Sequence, residues 1–428
     1  MHGSHGDMDI SIENVAKIEG HTNLDVVVRG GEVKDVKLKI SENKRFYTQA
    51  IRGKPFASMP QLVSRICGTC SIAHLTCCIE AVENALRFEP SPQTMLLRKL
   101  AMAGLMTRDH ALHLYFFSLP DVLGIDSVLE LTDSKPELVR TAFDVKAAGN
   151  ALSTLVSGRA VHATIQMVGG FANVPSREQS KEVIAKLRAA RPAVLDLLHT
   201  YAEWPETFVS ESNYVALVTQ NYDFLDGEIM DSRGLCIPEK QYWNHLNRVV
   251  IPYSNATGFQ FEGTPYKVGA LARMNLNKDK LHKDTKRDAA FALKAFPSKN
   301  VFHNNLAQAI EILHCIDSAS ETLESTDFKK EAVPRLEPRA GEGVGVVEAP
   351  RGILYYLLEL DKAGNVVYGN LVIPSAQNQI NMEKDIGEFL PHVLDKPKEE
   401  IAHELEKLIR AYDPCMSCAT HFLKVNWL

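Results

Sequence analysis

Two Cys-x-x-Cys pairs stand near opposite ends of this 428-residue chain, and any fold that uses both must bring the ends of the chain to one point. The first is Arg65-Ile66-Cys67-Gly68-Thr69-Cys70, with His74 four residues on. The second is Asp413-Pro414-Cys415-Met416-Ser417-Cys418, with His421 three residues on. Cys415 lies 345 positions after Cys70. Four thiolates gathered there make a soft, sulfur-rich site that selects nickel, iron or zinc over magnesium or calcium. From the cysteines alone, a structural zinc site with four sulfur ligands is the competing expectation, because it needs the same donors. The length exceeds what one simple core fills, so one large multilayered domain or two intimate ones are expected.

Charge and hydropathy then exclude several classes of function. The formal charge of −6 comes without a long basic run, which argues against a nucleic-acid partner. No apolar stretch reaches the roughly 18–20 residues that span a bilayer, so no transmembrane segment is expected. The polar, His- and Gly-rich stretch before Met8 has no signal-peptide apolar core, and Met8 is a candidate start of the natural chain. Eight cysteines in a chain this large form no dense disulfide framework, so a reducing, cytoplasmic location is expected. Cys77, Cys78, Cys236 and Cys315 read as plain thiols, mostly packing residues.

The pattern along the chain predicts a mainly α protein with small β-sheets, an α+β fold. Residues 9–42 alternate in strand fashion about a Gly30-Gly31 turn and predict a small antiparallel sheet. Residues 59–203 are mostly helical. Leu97, Leu100, Leu105, Leu112 and Leu114 mark a long helix with much of its surface buried, and Pro192 is expected to kink or divide a later one. Residues 204–300 read as irregular segments wrapped on a helical core, 304–323 as helix, and 343–374 as sheet with a hairpin turn at Lys362–Asn365. A final helix ends at Asp413-Pro414, because proline disfavours a helical residue before it. The expectation is one large domain whose metal-binding loop closes residues 399–421.

Both cysteine motifs, with the segments between them, resemble the large, catalytic subunit of nickel–iron hydrogenases. The matching segments run in order along the chain: Ile18-Glu19-Gly20-His21, Asp109-His110 with His113, Gly158-Arg159 with His162, Gly169-Gly170-Phe171, Gly269 to Arg273, Glu348 to Gly352, and Pro374-Ser375. The wording looks most like the soluble cytoplasmic multisubunit hydrogenases that couple to a nucleotide or deazaflavin carrier. The resemblance implies that family's large-subunit fold, a helix-bundle core with peripheral antiparallel sheets. It also implies reversible oxidation of H2 to protons and electrons.

By the same resemblance, Cys67, Cys70, Cys415 and Cys418 bind nickel, and Cys70 and Cys418 also bridge to an iron carrying CO and two cyanide ligands. Splitting H2, a very weak acid, needs a Lewis acid for the hydride and a base for the proton. Cys415 and Arg351 are both candidates for that base. Glu19 is the expected first proton relay, provided burial lifts its pKa toward neutrality. Arg351 is expected over the open side of the metals, held by Asp109 and Asp413. Pro350, Pro374 and Ser375 are expected to line the diatomic ligands, with Ser375 and the backbone near Pro374 bonding cyanide, and His74 to tune a bridging sulfur. His110, His113 and His162 read as hydrogen-bonded interior residues.

One departure from the family concerns a further magnesium or iron near His421. The family's usual glutamate nineteen residues before the first motif cysteine is here Thr48, a poor anionic ligand. The seven residues Phe422–Leu428 match a tail that the family removes with a maturation protease. Electrons are expected to leave through an iron–sulfur small subunit, then through further flavin, nucleotide or deazaflavin subunits, because no other cysteine cluster suits such centres. Two alternatives stand beside this expectation: a regulatory H2 sensor on the same site, and a non-enzymatic scaffold related to respiratory-complex subunits. The tail argues against the sensor, and the four cysteines argue against the scaffold.

Overall fold

A computed structural model describes residues 7–42 and 46–420. His421 and the tail after it lie outside the described residues, so the expectations for them are not addressed by the fold.

The N-terminal sheet is antiparallel, in the order β1 (Met8–Ile12), β2 (Thr22–Arg29), β3 (Glu32–Ile40). Its alternation puts Ile10, Leu24, Val26, Val28 and Leu38 on one buried face. Gly30 and Gly31 make the β2–β3 turn, both at positive φ, which glycine adopts without a Cβ penalty.

Four long helices form the body: α1 (Ser71–Leu86), α2 (Pro92–Leu112), α3 (Pro136–Ser157) and α4 (Arg177–Glu203). Ser91 caps α2 by accepting from the Thr94 amide, and Ser176 with Gln179 forms a capping box on α4. α2 and α3 cross closely at glycines: a Cβ on Gly104 would come within 2.7 Å of Ser153 Oγ, and one on Gly149 within 2.5 Å of the Arg108 amide nitrogen. Pro192 does not divide α4, which runs unbroken through it. Pro192 and Arg188, four residues earlier, both lie on the solvent-facing side of the helix.

The stretch 204–300, expected to be irregular, contains six strands. β4 (Asn213–Thr219), β5 (Gly227–Asp231) and β6 (Cys236–Pro238) are antiparallel neighbours, followed by the pair β7 (Leu246–Val250) and β8 (Thr257–Phe261), and by β9 (Tyr266–Lys267) parallel to β4. β4 is buried on both faces and therefore lacks the alternation that marks a half-exposed strand.

After α5 (Ala270–Asn277) and α6 (His303–Ser325), a meander of β10 (Gly341–Ala349), β11 (Gly352–Leu360) and β12 (Val366–Val372) lies against α1. Gly341, Gly343 and Gly345 alternate along β10 and let α1 sit on the strand; a Cβ at Gly345 would stand 2.1 Å from the Cys77 carbonyl oxygen. The chain closes with α7 (Pro374–Phe389), α8 (Lys398–Ala411) and the short α9 (Met416–Ala419).

A second apolar core joins the ends of the chain. Ile10, Leu24, Val26 and Val28 of the first sheet pack with Met382, Ile386 and Phe389 of α7 and with Ile401, Leu405 and Leu408 of α8. At about 1.5–3 kcal/mol per buried side chain, this contact is ample to hold the N-terminal sheet on the C-terminal helices.

Candidate metal centre

Cys70 stands at the N-terminus of α1 and Cys415 at the N-terminus of α9, so each motif delivers its sulfurs where a loop turns into a helix. The four Sγ atoms of Cys67, Cys70, Cys415 and Cys418 lie within 4.8 Å of one another, all buried. Cys67 and Cys415 are 3.4 Å apart, Cys70 and Cys418 3.2 Å, and Cys415 and Cys418 2.7 Å. The two ends of the chain therefore meet at the sulfurs.

A third segment completes the junction. Residues around Glu19 pair with Cys415 as a parallel bridge, and the Met416 amide donates to the Glu19 carbonyl at 2.9 Å. Gly20 allows this approach: it sits at φ +81°, and a Cβ there would come within 2.9 Å of the Ser417 nitrogen. Glu19 Oε2 is 3.0 Å from Cys415 Sγ and accepts from the Ser417 amide at 3.1 Å, while Ser417 Oγ donates to Oε1 at 2.6 Å. Burial, then the nearby Cys67, push the Glu19 carboxyl upward against the hydrogen bonds from Cys415 and Ser417. Lys17, a conceivable partner for Glu19, pairs instead with Asp121.

Arg351 lies in the tight β10–β11 turn, buried. Its Nη1 donates to Asp109 Oδ2 at 2.8 Å and its Nη2 to Asp413 Oδ1 at 2.9 Å. Burial opposes the charge, and the two carboxylates outweigh it, holding the guanidinium well above its usual range. Asp109 comes from α2. Asp413 sits in the left-handed region at φ +50°, where aspartate is among the better tolerated residues. Gln308 of α6 donates to the other Asp413 oxygen at 2.8 Å, and His113 Nδ1 lies 2.6 Å from Gln308 Oε1.

The peptide leading to Arg351 is gripped from behind. Arg273 of α5 donates to the Ala349 and Pro350 carbonyls at 3.0 Å each, and is itself held by Glu311 and Glu348 at 2.7 Å. Burial works against ionisation of Glu311, but Arg273 and His110 bring its carboxyl down to about 2; burial prevails at Glu348 and raises it to about 7.

The remaining expected residues fall nearby or apart as follows. Ser375, the second residue of α7 after Pro374, accepts from the Cys415 amide at 2.8 Å. His74 Nδ1 is 2.8 Å from the Tyr356 hydroxyl, and burial lowers its pKa to about 4, so the ring is neutral. His110 bonds Glu311, and His162 bonds the Ser64 carbonyl. Cys77, Cys78 and Cys315 are buried and Cys236 is exposed. Thr48 lies in a short helical turn, Tyr47–Ala50. Sequence reading missed Arg108, Gln308 and Tyr356, and saw Arg273 only as part of a matching segment.

The donor set fits a metal. Burial, with the neighbouring sulfurs, holds the Cys415 thiol well above its usual range, whereas hydrogen bonds from Cys415, Cys418 and Cys70 hold Cys67 well below. Four buried sulfurs this close can all be thiolates together only with a cation between them.

A family model described as nickel-dependent hydrogenase matches residues 47–146 and 238–421. The chain belongs to the nickel-dependent hydrogenase family. Among hydrogenase relatives, the alpha subunit of sulfhydrogenase 2 from Pyrococcus furiosus is 32% identical over 423 residues, covering 98% of this chain and 100% of the relative. An F420-non-reducing hydrogenase subunit from Methanothermobacter marburgensis is 30% identical over 450 residues, covering 96% and 94%. A solved NAD+-reducing [NiFe]-hydrogenase in the H2-reduced state shares the fold with a TM-score of 0.87, at 24% identity and covering 97% of this chain and 99% of that one. The chain is a hydrogenase catalytic large subunit, oxidising H2 at a buried metal cluster and passing electrons to a partner subunit. The expected α+β large-subunit fold is the one observed.

Proposed function

We propose that the sulfur quartet holds nickel through all four cysteines and iron through Cys70 and Cys418, the iron carrying CO and two cyanide ligands. The reaction is H2 ⇌ 2H+ + 2e−. The observation that carries this reading is the meeting of four buried sulfurs from both ends of the chain beside one buried carboxylate and one buried guanidinium. When bound, the metal pair supplies the electrophile for heterolytic cleavage and the store for two electrons.

The protein's own residues supply positioning and proton transfer. Cys415 Sγ fits the base better than Arg351, because Asp109 and Asp413 hold the guanidinium protonated while burial makes the Cys415 sulfur more basic. Glu19 Oε2, 3.0 Å from Cys415 Sγ, takes the proton and passes it outward. Asp109 and Asp413 fix Arg351 with two buried charge-assisted bonds, within charge range of Cys415 and Cys70. Ser375, Pro374 and Pro350 would hold the cyanide and CO ligands. Neutral His74, anchored by Tyr356, tunes a bridging sulfur.

Among the described residues, no second cluster of cysteines, histidines and carboxylates gathers to hold a metal, which supports electron exit through an iron–sulfur small subunit. A relative called an NAD-reducing hydrogenase subunit supports further nucleotide-coupled subunits, whereas relatives called F420-non-reducing lend the deazaflavin carrier no support. A magnesium or iron at His421 is the weakest part of the reading, because Thr48 offers no carboxylate. Removal of the tail after His421 by a maturation protease completes the scheme.

Infrared spectroscopy of the purified complex, together with nickel quantitation, tests this function. Carbon monoxide and cyanide stretches with about one nickel per chain are expected; zinc in place of nickel, without those bands, overturns the reading. A partner-free chain is expected to lack fast dye-linked H2 uptake.

A further inference from the structure

Arg108 of α2 is a buried guanidinium beside the sulfurs that none of the roles above uses. Its Nη2 donates to the Thr69 carbonyl, inside the first cysteine motif, and its Nε is buried without a hydrogen-bond partner. Thr69 Oγ1 in turn lies 3.1 Å from Cys67 Sγ. Cys70, Cys67, Asp109 and Arg351 are all close enough for their charges to act on Arg108. Among the described residues, no carboxylate forms an ion pair with it.

The contrast with Arg351 is in the charge balance. Arg351 is flanked by two carboxylates, so that triad brings a net negative charge to the site. Arg108 makes no such pair; its positive charge, costly in a protein interior unless anions lie near, is favoured by Asp109, the next residue, and then by the motif sulfurs of Cys70 and Cys67.

Its backbone is also fixed. α3 crosses α2 at Gly149, where a Cβ would stand 2.5 Å from the Arg108 nitrogen and 2.9 Å from its Cα. This close crossing sets the Arg108 backbone directly against α3, with its side chain reaching the motif loop. Meanwhile Arg65 and Gly68 of that loop are solvent-exposed and give it little anchorage of their own.

We infer that Arg108 is a second positioning cation of the metal centre, locking the Cys67–Cys70 loop through the Thr69 carbonyl and lending the sulfur quartet a positive charge. The inference rests on the nickel–iron reading of the quartet.

The test compares the assembled complex carrying wild-type, Arg108→Gln and Arg108→Lys chains. The readouts are nickel per chain, the infrared stretches of the carbon monoxide and cyanide ligands, the midpoint potential of the centre, and thermal melting. Loss of the positive charge leaves more electron density on the centre. Arg108→Gln is therefore expected to lower both the midpoint potential and the stretching frequencies, while Arg108→Lys stays near wild type. A fully loaded Arg108→Gln complex with wild-type bands and potential overturns the inference, as does an Arg108→Lys shift as large as that of Arg108→Gln. If Arg108→Gln takes up no nickel but melts like wild type, the lock on the loop is supported. If both variants lose cooperative melting, the inference is overturned, because Arg108 then serves only α2–α3 packing. A wild-type complex without nickel or the infrared bands instead overturns the hydrogenase reading itself.

Discussion

Glu19 meets Cys415 through one oxygen, and Ser417 donates to both of its oxygens, so an amide in its place keeps the shape of the contact and loses the capacity to carry a proton. Glu19→Gln is expected to retain nickel and the infrared bands while H2-dependent dye reduction falls roughly 10²-fold or more, within the range for losing a positioned acid–base group. Metal analysis beside a dye assay checks both halves. Arg351 answers two carboxylates at once, a geometry that a lysine ammonium cannot reproduce. Arg351→Met strands Asp109 and Asp413 in the interior and is expected to cost about 3–5 kcal/mol of stability, read by denaturant titration. At this scale much was legible: the four cysteines, Glu19, Arg351 and its two partners were all named from motifs. Arg108, Gln308 and Tyr356 were not, because an arginine or glutamine on a helix does not show in the sequence which distant group its side chain reaches.

Among the elements, the contact of α1 with β10 decides how accurately Cys70 is placed, since α1 begins directly after it. Gly341, Gly343 and Gly345 form the flat side of that strand, and a Cβ at Gly343 would lie 2.0 Å from the Ala81 carbonyl oxygen. Gly345→Ala is expected to push α1 away, costing about 1–3 kcal/mol as an overpacked core site and lowering nickel per chain. A denaturant midpoint and a metal assay measure the two effects together. The first sheet and the long helices were readable because their periodicities are clean. The strands between 204 and 300 were not, because β4 is buried on both faces and the other five are only two to five residues long.

For the molecule as a whole, burial controls which thiols react and how stability follows pH. Seven of the eight cysteines are buried and only Cys236 is exposed. A thiol reagent is expected to find about one fast-reacting group in the native chain and all eight after denaturation. Glu383 of α7 accepts from the Leu38 amide of β3 and from Tyr253, tying the N-terminal sheet to the C-terminal helices, and burial raises its carboxyl to about 7. Below its ordinary 4.5, both folded and unfolded chains hold that proton. Between 4.5 and about 7 only the folded chain does, so this contribution to stability is lost as pH rises through that window. Denaturant titrations at several pH values are expected to show the decline in wild type and a flatter profile in Glu383→Gln.

What sequence alone determined was the chemistry of the donors and the need for the chain's ends to meet, because ligand spacing and flanking residues are local properties. Tertiary structure alone decided what surrounds those donors: the Arg273 clamp behind Arg351, the Gln308 contact on Asp413, and the Arg108 contact on the Thr69 carbonyl beside the sulfurs. Each joins residues on different elements, 39 positions apart for Arg108 and Thr69 and 105 for Gln308 and Asp413. Such contacts follow from helix crossings set by single glycines and from burial that forces every charge to find a partner, neither of which is written in a local pattern.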